Sequence, residues 1–277
     1  MKYPFQGPIR IHRRGFMAAT GTILFGAAAE PEPPKPGRYL IAHRGVTDAG
    51  FKENSLAGLE EAHRRGYTHV EVDLRCTKDG EAVCLHDASL RRTAGLDVLV
   101  HDLSTAELYT RVQEERVPRF ATYCEWARGR LAFQLDLKAV PEPLIEPFIE
   151  SVQTSMRKQG LMDASFVIGR DELKSRFLGE ARISFGADTA KAHALLDGDS
   201  DASANYYVFS EAKAFNAWNV AAFQKLGYAV IPSINTFHYP EPEHLAAGLA
   251  DIQRMQELKV DGIQIDSIYD RALFAGR

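Results

Sequence analysis

The sequence predicts a (β/α)8 barrel, because eight short apolar segments alternate with amphipathic segments along most of the chain. These units occupy roughly 240 residues, and barrels of this class typically contain about 250. A hydrophobic share of 45% and a charged share of 25% suit a globular chain of 277 residues with a sizeable core. An open doubly wound sheet is the competing interpretation, which strand counting alone does not exclude.

The predicted barrel strands are Tyr39–His43, Val70–Arg75, Leu131–Lys138, Ser165–Gly169, Ile183–Ala187, Tyr206–Ser210, Tyr228–Asn235 and Gly262–Asp266. The helices predicted between them include Ser55–Arg65, Pro141–Lys158, Asp171–Leu178, Ala190–Leu196, Ala214–Lys225 and Glu243–Leu258. One unit is irregular, because Ala82–Leu85 adds an extra strand and a 44-residue excursion, 87–130, precedes the third barrel strand. Long segments after a barrel strand often carry specificity.

The first 29 residues are predicted to be a signal peptide. They contain four Lys or Arg residues and no acidic residue, and Arg13-Arg14 precedes an apolar segment, 15–29, that ends in three alanines. This order is similar to a twin-arginine export signal, which predicts the twin-arginine export machinery as a partner and a periplasmic or secreted protein. A membrane anchor is the alternative, but 15 apolar residues fall short of the roughly 20 that a bilayer span needs.

Removal of the signal peptide changes the charge of the protein. The full chain has a formal net charge of −4, and loss of four basic residues leaves −8. Neither value supplies a general basic surface for nucleic acid. Residues 30–37 contain four prolines and are predicted to be an extended linker before a single barrel domain, 38–277.

Three cysteines allow at most one disulfide bond. Cys76 and Cys84 flank a predicted turn between extended segments and could pair in an oxidising compartment. Cys124 lies on a predicted helix and is expected to be buried and free.

Four groups of chemically active residues fall where predicted strands end. They are His43-Arg44-Gly45, Glu71-x-Asp73, His86-Asp87 and Asp136-x-Lys138. Residues i and i+2 of a strand point to the same face, so three carboxylates converge if that face is the barrel interior. Their mutual repulsion calls for a cation, and all-oxygen ligation suits Mg²⁺ or Ca²⁺ better than zinc. The alternative is that Glu71 and Asp73 pair with surface Lys or Arg residues at a strand end.

Two histidines stand apart from the other seven. His43 and His86 are each followed by a charged residue at a predicted strand end. Such a pair can divide proton transfer, one histidine acting as general base and the other as general acid. The remaining histidines of the barrel are expected on the surface or in packing: His63, His69, His101, His193, His238 and His244.

The order and spacing of these motifs resemble the glycerophosphodiester phosphodiesterase family over about fifty residues. The matching segments are Ile41-Ala42-His43-Arg44-Gly45, Glu53-Asn54-Ser55, Glu71-Val72-Asp73-Leu74, Thr77-Lys78-Asp79-Gly80, and His86-Asp87 with Leu90 and Arg92-Thr93. Val260-Asp261-Gly262-Ile263 and Asp266 are similar to the family's closing strand. The resemblance implies a phosphodiesterase of the phospholipase C-like barrel type.

The resemblance implies that His43 and His86 are catalytic and that Glu71 and Asp73 are metal ligands. The family's third ligand is usually a glutamate two residues before a lysine, and Asp136 stands there in this chain. Because aspartate is shorter, we expect the Mg²⁺ or Ca²⁺ ion to lie slightly deeper or to be held partly through water. An Asp-x-Lys pair is also similar to sphingomyelinase D-like barrels, which leaves the headgroup open.

The resemblance also implies supporting roles. Arg44 and Lys138 would contact the substrate phosphate, and Glu53 with Asn54 would orient the metal ligands or the phosphate. The alternative for Asn54-Ser55 is the start of a helix. The implied reaction is metal-dependent hydrolysis of a small-molecule glycerophosphodiester to glycerol 3-phosphate and an alcohol.

Two departures from the family concern the substrate. Pro232–Asn235 replaces the usual Trp-Thr-x-Asn, and Ser267-Ile268 replaces an aromatic residue and proline after Asp266. An aromatic wall of the pocket is therefore absent or supplied elsewhere, and helix packing is the expected role of Trp218. The candidates for that wall are Tyr206, Tyr207, Phe209, Trp218 and Tyr239.

Three other functions stay open. The first is a lipid diesterase of lysophospholipase D, sphingomyelinase D or phospholipase C type, which needs an apolar surface at the barrel mouth. The candidate for that surface is the excursion, with Leu96 and Val98–Val100. The main prediction allows contact with membrane lipid without requiring it. A non-catalytic phospho-ligand-binding barrel would not need two histidines. An isomerase or aldolase would need a neutral lysine, which Lys138 beside two acids does not favour.

Overall fold

The computed structural model of the protein describes residues 39–188, 202–270 and 273. All strands except β3 pair in parallel, and β1 pairs with both β2 and β9, so that eight strands close into a barrel. Closure excludes the open doubly wound sheet. The strands are β1 (Tyr39–Ala42), β2 (His69–Cys76), β3 (Ala82–Cys84), β4 (Ala132–Leu137), β5 (Phe166–Gly169), β6 (Arg182–Phe185), β7 (Tyr206–Glu211), β8 (Val230–Ile234) and β9 (Gly262–Ile265).

The helices follow the strands in the alternating order that the sequence predicts. They are α1 (Leu56–Arg64), α2 (Arg91–Ala94), α3 (Thr105–Arg111), α4 (Phe120–Ala127), α5 (Ile145–Gln159), α6 (Asp171–Lys174), α7 (Ala202–Asn205), α8 (Ala217–Lys225) and α9 (His244–Glu257). The predicted signal peptide, the predicted linker and the helix predicted at 190–196 lie outside the described residues. Within the described ranges, no helix combines the length and apolarity of a membrane span.

Side chains from non-neighbouring strands fill the barrel interior. Tyr207 on β7 packs against Phe166 on β5, with ring centroids 4.6 Å apart, and its hydroxyl accepts a hydrogen bond from Gln134 on β4 at 2.9 Å. Gln264 on β9 donates to the Gln134 side chain at 2.8 Å. Because Tyr207 is buried in the barrel interior, it does not form the aromatic pocket wall for which the sequence made it a candidate.

A tight turn follows β1 at Arg44 and Gly45. Arg44 has φ 56° and Gly45 has φ 77°, so two consecutive residues adopt the left-handed region. The turn lets the backbone N–H of Arg44 donate to Glu71 Oε2 at 2.9 Å. Ser55 then caps α1, its hydroxyl accepting from the backbone N–H of Gly58 at 3.0 Å.

The excursion between β3 and β4 builds a small core of its own. Val100 is fully buried there, and Leu96 and Val98 pack against the same cluster. Leu99 is 39% exposed. The apolar residues of this segment therefore serve mainly internal packing, and three of the four candidates do not supply the exposed apolar surface that a lipid diesterase would need.

All three cysteines are buried and free. The ladder between β2 and β3 places Cys76 opposite Ala82 and Cys84 opposite Leu74, so the two cysteines are not direct partners. Burial raises the pKa of the Cys76 thiol to about 12, which keeps it protonated and unreactive at neutral pH. The structure thus contains no Cys76–Cys84 disulfide, and the expectation for Cys124 is confirmed.

A buried histidine makes the stability of the barrel depend on pH. His69 is 5% exposed, its Nε2 lies 3.0 Å from the carbonyl oxygen of Ala164, and burial lowers its pKa to about 4. Between pH 6.5 and pH 4 the unfolded chain takes up a proton that the folded chain does not. The free energy of unfolding is therefore expected to fall as the pH falls through this window, by roughly 3 kcal/mol in total.

Urea denaturation at pH 7 and pH 4.5 measures this effect. The variant His69→Gln is expected to show a flatter pH dependence than the wild type, because glutamine does not titrate. The control His63→Gln changes an exposed histidine on α1 and is expected to keep the wild-type dependence. An equally steep dependence in H69Q would assign the effect to other groups.

Candidate active site

Three carboxylates from β2 and β4 meet in the structure. Glu71 and Asp73 are each 1% exposed, and Asp136 stands directly opposite Asp73 in the parallel ladder. One oxygen from each of the three side chains lies within 4.8 Å of the other two. The structure thus brings together the three predicted ligands as an acidic cluster that could bind a divalent cation.

Two cations lie against this cluster. Lys138 Nζ is 2.8 Å from Asp73 Oδ1 and 2.5 Å from Asp136 Oδ2, and Arg44 Nε is 3.2 Å from Asp73 Oδ2. Burial would lower the pKa of Lys138, but Asp73 and Asp136 raise it above its ordinary value. A lysine held in its charged form cannot form a Schiff base, which argues against the isomerase or aldolase alternative.

The pKa of Glu71 indicates that the carboxylates of the cluster outnumber the cations beside them. Burial, followed by the nearby charges of Asp73 and Asp136, raises the pKa of Glu71 well above its ordinary value, whereas Lys138 and Arg44 hold the pKa of Asp73 below its usual range against the effect of burial. Protein groups therefore compensate only part of the negative charge. When all three carboxylates are ionised, they exceed Lys138 and Arg44 by one negative charge, and two buried side chains with one half-buried side chain offer oxygen donors that fit a hard divalent cation.

Asn54 fixes the orientation of Asp73. Its Nδ2 donates to Asp73 Oδ2 at 2.8 Å, and its Oδ1 accepts from the backbone N–H of Asp73 at 3.0 Å. Asn54 is 3% exposed and has φ 55°. Asn54 thus contacts a carboxylate of the cluster, and Ser55 caps a helix, as the alternative interpretation of these two residues predicts.

His43 lies at the carboxyl end of β1 beside the cluster. Its Nδ1 is 2.6 Å from Asp266 Oδ1, and its Nε2 is 3.9 Å from Glu71 Oε2. Asp266 Oδ2 accepts hydrogen bonds from the backbone N–H and the hydroxyl of Thr236, at 2.7 and 2.8 Å. A carboxylate at Nδ1 fixes the N–H on that nitrogen and leaves Nε2 to exchange a proton.

His86 also has a carboxylate at its Nδ1. Its Nδ1 is 2.7 Å from Asp87 Oδ1, and Arg92 Nε donates to Asp87 Oδ2 at 2.6 Å. Hydrogen bonds from Arg92 and then His86 hold the pKa of Asp87 well below its ordinary value. The backbone N–H of Leu85 donates to the carbonyl of Asp73 at 2.9 Å, so the residue before His86 is still hydrogen-bonded to β2.

A cleft of about 490 Å³ opens beside His43. Its lining includes Phe51, Phe237 and Ile268, and the Phe237 ring centroid is 5.7 Å from that of His43. Phe237 is 66% exposed and Ile268 is 45% exposed. Phe237 therefore supplies an aromatic wall. The sequence did not single it out, because it lies in a short 3-10 helix two residues beyond Pro232–Asn235, the segment that replaces the family motif.

The other aromatic candidates do not take this place in the structure. Tyr206, Phe209 and Tyr239 are absent from the residues that line the cleft. Trp218, expected to pack inside a helix interface, is 68% exposed near the start of α8. Exposure of so large an apolar side chain at the carboxyl-end side of the barrel corrects the packing prediction.

The described residues define a (β/α)8 barrel whose acidic and histidine side chains gather at the carboxyl ends of its strands, where barrels of this class hold their active sites. The chain belongs to the glycerophosphoryl diester phosphodiesterase family, whose sequence profile matches residues 43–231. This confirms the family that the motifs of the first half of the chain resemble.

Curated relatives match the chain over part of their length. It is 42% identical over 165 residues to a Mycobacterium tuberculosis protein named probable glycerophosphodiester phosphodiesterase 2, covering 58% of this chain and 60% of that protein. It is 35% identical over 133 residues to lysophospholipase D GDPD1 of Rattus norvegicus, covering 46% of this chain and 42% of that protein. The matched segments thus span three fifths or less of these relatives.

Solved structures share the fold over nearly their whole length. A glycerophosphodiester phosphodiesterase from Agrobacterium tumefaciens superimposes with a TM-score of 0.66 at 22% identity, covering 85% of this chain and 99% of that chain. A phosphodiesterase from Oleispira antarctica, in complex with the product sn-glycerol-3-phosphate, gives 0.63 at 19% identity, covering 85% and 96%. These likenesses show the same barrel.

Proposed function

We propose that this protein hydrolyses glycerophosphodiesters to glycerol 3-phosphate and an alcohol, with Mg²⁺ or Ca²⁺ held by Glu71, Asp73 and Asp136. The observation that carries the proposal is the pair of histidine–aspartate contacts beside one carboxylate cluster. Ion binding alone would require no histidines. Family membership and the product named for the Oleispira antarctica relative support the choice of substrate.

The reaction has two proton transfers, and the site has two histidines to perform them. Water attacks phosphorus, the bond between phosphorus and the leaving oxygen breaks, one proton leaves the water and one joins the alcohol. Asp266 and Asp87 hold Nδ1–H of His43 and His86, so each Nε2 is left to accept or deliver a proton. Either histidine can take either role in this arrangement.

Positive charge is the second requirement of the reaction. A bound divalent cation would offset the negative charge of the phosphoryl oxygens. Arg44 and Lys138 are proposed to contact the phosphate, and both lie within 3.2 Å of a carboxylate of the cluster. Since the chain is acidic overall, attraction of a phosphodiester depends on these local charges.

The proposal is tested on protein stripped of metal with a chelator. Glycerophosphocholine, glycerophosphoethanolamine and glycerophosphoinositol are offered before and after Mg²⁺ or Ca²⁺ is returned. We expect release of the alcohol only after the cation is returned. Tight binding without turnover would support a phospho-ligand-binding barrel instead, and undiminished turnover without a cation would contradict the metal assignment.

A lipid substrate is a second candidate, favoured by the apolar wall of the cleft. Phe237 and Ile268 are exposed beside His43, and the relative from Rattus norvegicus is named a lysophospholipase D. If a lysophospholipid chain lies on this wall, Phe237→Ala is expected to raise KM for lysophosphatidylcholine about tenfold, since one buried aromatic contact is worth on the order of 1.5 kcal/mol.

Comparison of two substrates separates the candidates. Glycerophosphocholine lacks the acyl chain, so its KM should stay within about twofold in the Phe237→Ala variant. Leu178→Ala removes another exposed apolar residue, which does not line the cleft, and serves as the matched control. Equal KM changes for both substrates would remove the case for a lipid.

We propose further that residues 1–29 direct the protein through the twin-arginine export machinery to the periplasm or the exterior. The arginine pair, the apolar segment and the alanines that end it support this proposal. The family match begins at residue 43, after this segment and the proline-rich linker. Replacing Arg13 and Arg14 by lysine is expected to retain the protein in the cytoplasm, as immunoblots of cell fractions would show.

A further inference from the structure

Arg92 stands between the two histidines of the site. It lines the cleft beside His43 and also a second cleft, of about 720 Å³, beside His86. Although its side chain is 52% exposed, it contacts two carboxylates at once: its Nε donates to Asp87 Oδ2 at 2.6 Å, and its Nη2 donates to Glu53 Oε1.

Each of these carboxylates has a second contact, with a residue of the proposed catalytic site. Asp87 holds His86 through its other oxygen, and Glu53 Oε2 accepts from Arg44 Nη1 at 3.0 Å. Arg44 in turn contacts the acidic cluster through its Nε and its backbone N–H. We call Asp87, Arg92, Glu53 and Arg44 the charge chain, because positive and negative groups alternate along it.

We propose that Arg92 is a positioning residue that holds the proton-transfer group His86 and the phosphate-contacting Arg44 in one fixed geometry. The inference rests on the proposed function and adds to it a residue that touches neither metal nor the histidines. A guanidinium presents donors along two edges and so can serve two carboxylates, whereas the ammonium of lysine is a single point charge.

The neighbouring Arg91 lies on the same helix and also lines the cleft beside His86, but its ion-pair partner is an exposed aspartate. The side chain of Arg91 is 75% exposed, and its Nη2 lies 3.6 Å from Oδ2 of Asp97, whose side chain is 77% exposed. Such a pair contributes little to stability. Arg92 differs because each of its partners has a second contact inside the site, so removal of its side chain takes away one of the two contacts that orient Asp87 and one of the two that orient Glu53.

The kinetic test compares Arg92→Ala, Arg92→Lys and Arg91→Ala with the wild type on glycerophosphocholine. We expect kcat to fall about 10- to 100-fold in R92A, because displacements near 1 Å cost up to about 10² in rate. R92K should recover less than half of the lost rate, R91A should stay within about twofold, and the melting temperatures of all three should lie within about 3 °C of the wild type. A kcat for R92A within threefold of the wild type would overturn the proposal.

A double-mutant cycle tests the path of the effect. Asp87→Asn alone and together with Arg92→Ala should show strongly non-additive losses, because both changes free the same histidine. Losses that multiply as independent effects would contradict the charge chain.

A measurement without substrate separates this proposal from the proposed function. Nitrogen-15 NMR of the histidine rings reports whether His86 carries its proton on Nδ1. We expect one fixed tautomer in the wild type and R91A, and a mixture in R92A. If the wild type hydrolyses no diester but this difference is seen, the proposed function fails and the positioning role stands; an unchanged tautomer in R92A overturns the positioning role.

Discussion

His43→Ala and His86→Ala are each expected to lower kcat for glycerophosphocholine by about 10²- to 10⁴-fold, equivalent to roughly 3 to 5 kcal/mol of activation free energy. Each change removes one of the two groups that are proposed to move protons between water and the leaving alcohol. The aspartates that hold these rings remain in place, so the loss reports the imidazole itself. Steady-state kinetics with saturating cation measures it.

The matched control for the histidine variants is His63→Ala, which changes an exposed histidine on α1. It should retain the wild-type kcat. Melting curves of all three variants exclude loss of folding as the cause. If either H43A or H86A keeps more than about a tenth of wild-type turnover, that histidine is not a proton-transfer group of the reaction.

Glu71→Gln is expected to have the second largest effect, and its effects on function and stability should differ in sign. Loss of one carboxylate ligand should weaken Mg²⁺ or Ca²⁺ binding at least tenfold and lower turnover by about 10². Yet the pKa of Glu71 lies well above its ordinary value, through burial and then Asp73 and Asp136, so the folded chain favours the neutral side chain. Without cation, the variant should be at least as stable as the wild type.

Calorimetric titration with each cation and melting curves in chelator measure the two effects of Glu71→Gln. Glu60→Gln changes an exposed glutamate on α1 and should alter neither cation affinity nor activity. A metal-free E71Q protein that melts well below the wild type, with unchanged cation affinity, would show that Glu71 serves the fold.

The order of strands and helices could be predicted from the sequence because parallel barrel strands are short apolar runs between amphipathic segments. Closure of the barrel could not, because it depends on β1 pairing with β9, at the far end of the chain. The packing of the excursion could not be predicted for a related reason. Apolar residues such as Val100 show the same pattern whether they fill a local core or face a ligand, and only the fold distinguishes these cases.

The site was predictable where its residues are close in sequence or match a motif. The i, i+2 spacing places Glu71 and Asp73 on one face of a strand, and the pairing of β2 with β4 sets Asp136 opposite Asp73 to complete the acidic cluster. The sequence predicts Asp266 only as part of the closing strand. Its contact with His43 could not be predicted, because the two residues are 223 positions apart. Arg92 lies in a matching motif, but its contact with Glu53, 39 residues away, and the position of Phe237 depend on side-chain directions that no local pattern encodes.

Phosphorus-31 NMR of glycerophosphocholine hydrolysis in water enriched in oxygen-18 tests the central claim most directly. The account predicts that the wild type with Mg²⁺ or Ca²⁺ produces glycerol 3-phosphate that carries one oxygen-18 atom, and that H43A and the chelated wild type produce almost none. Choline phosphate as the phosphorus product, or equal product formation by H43A and the wild type, would contradict the reaction and the site assigned to it.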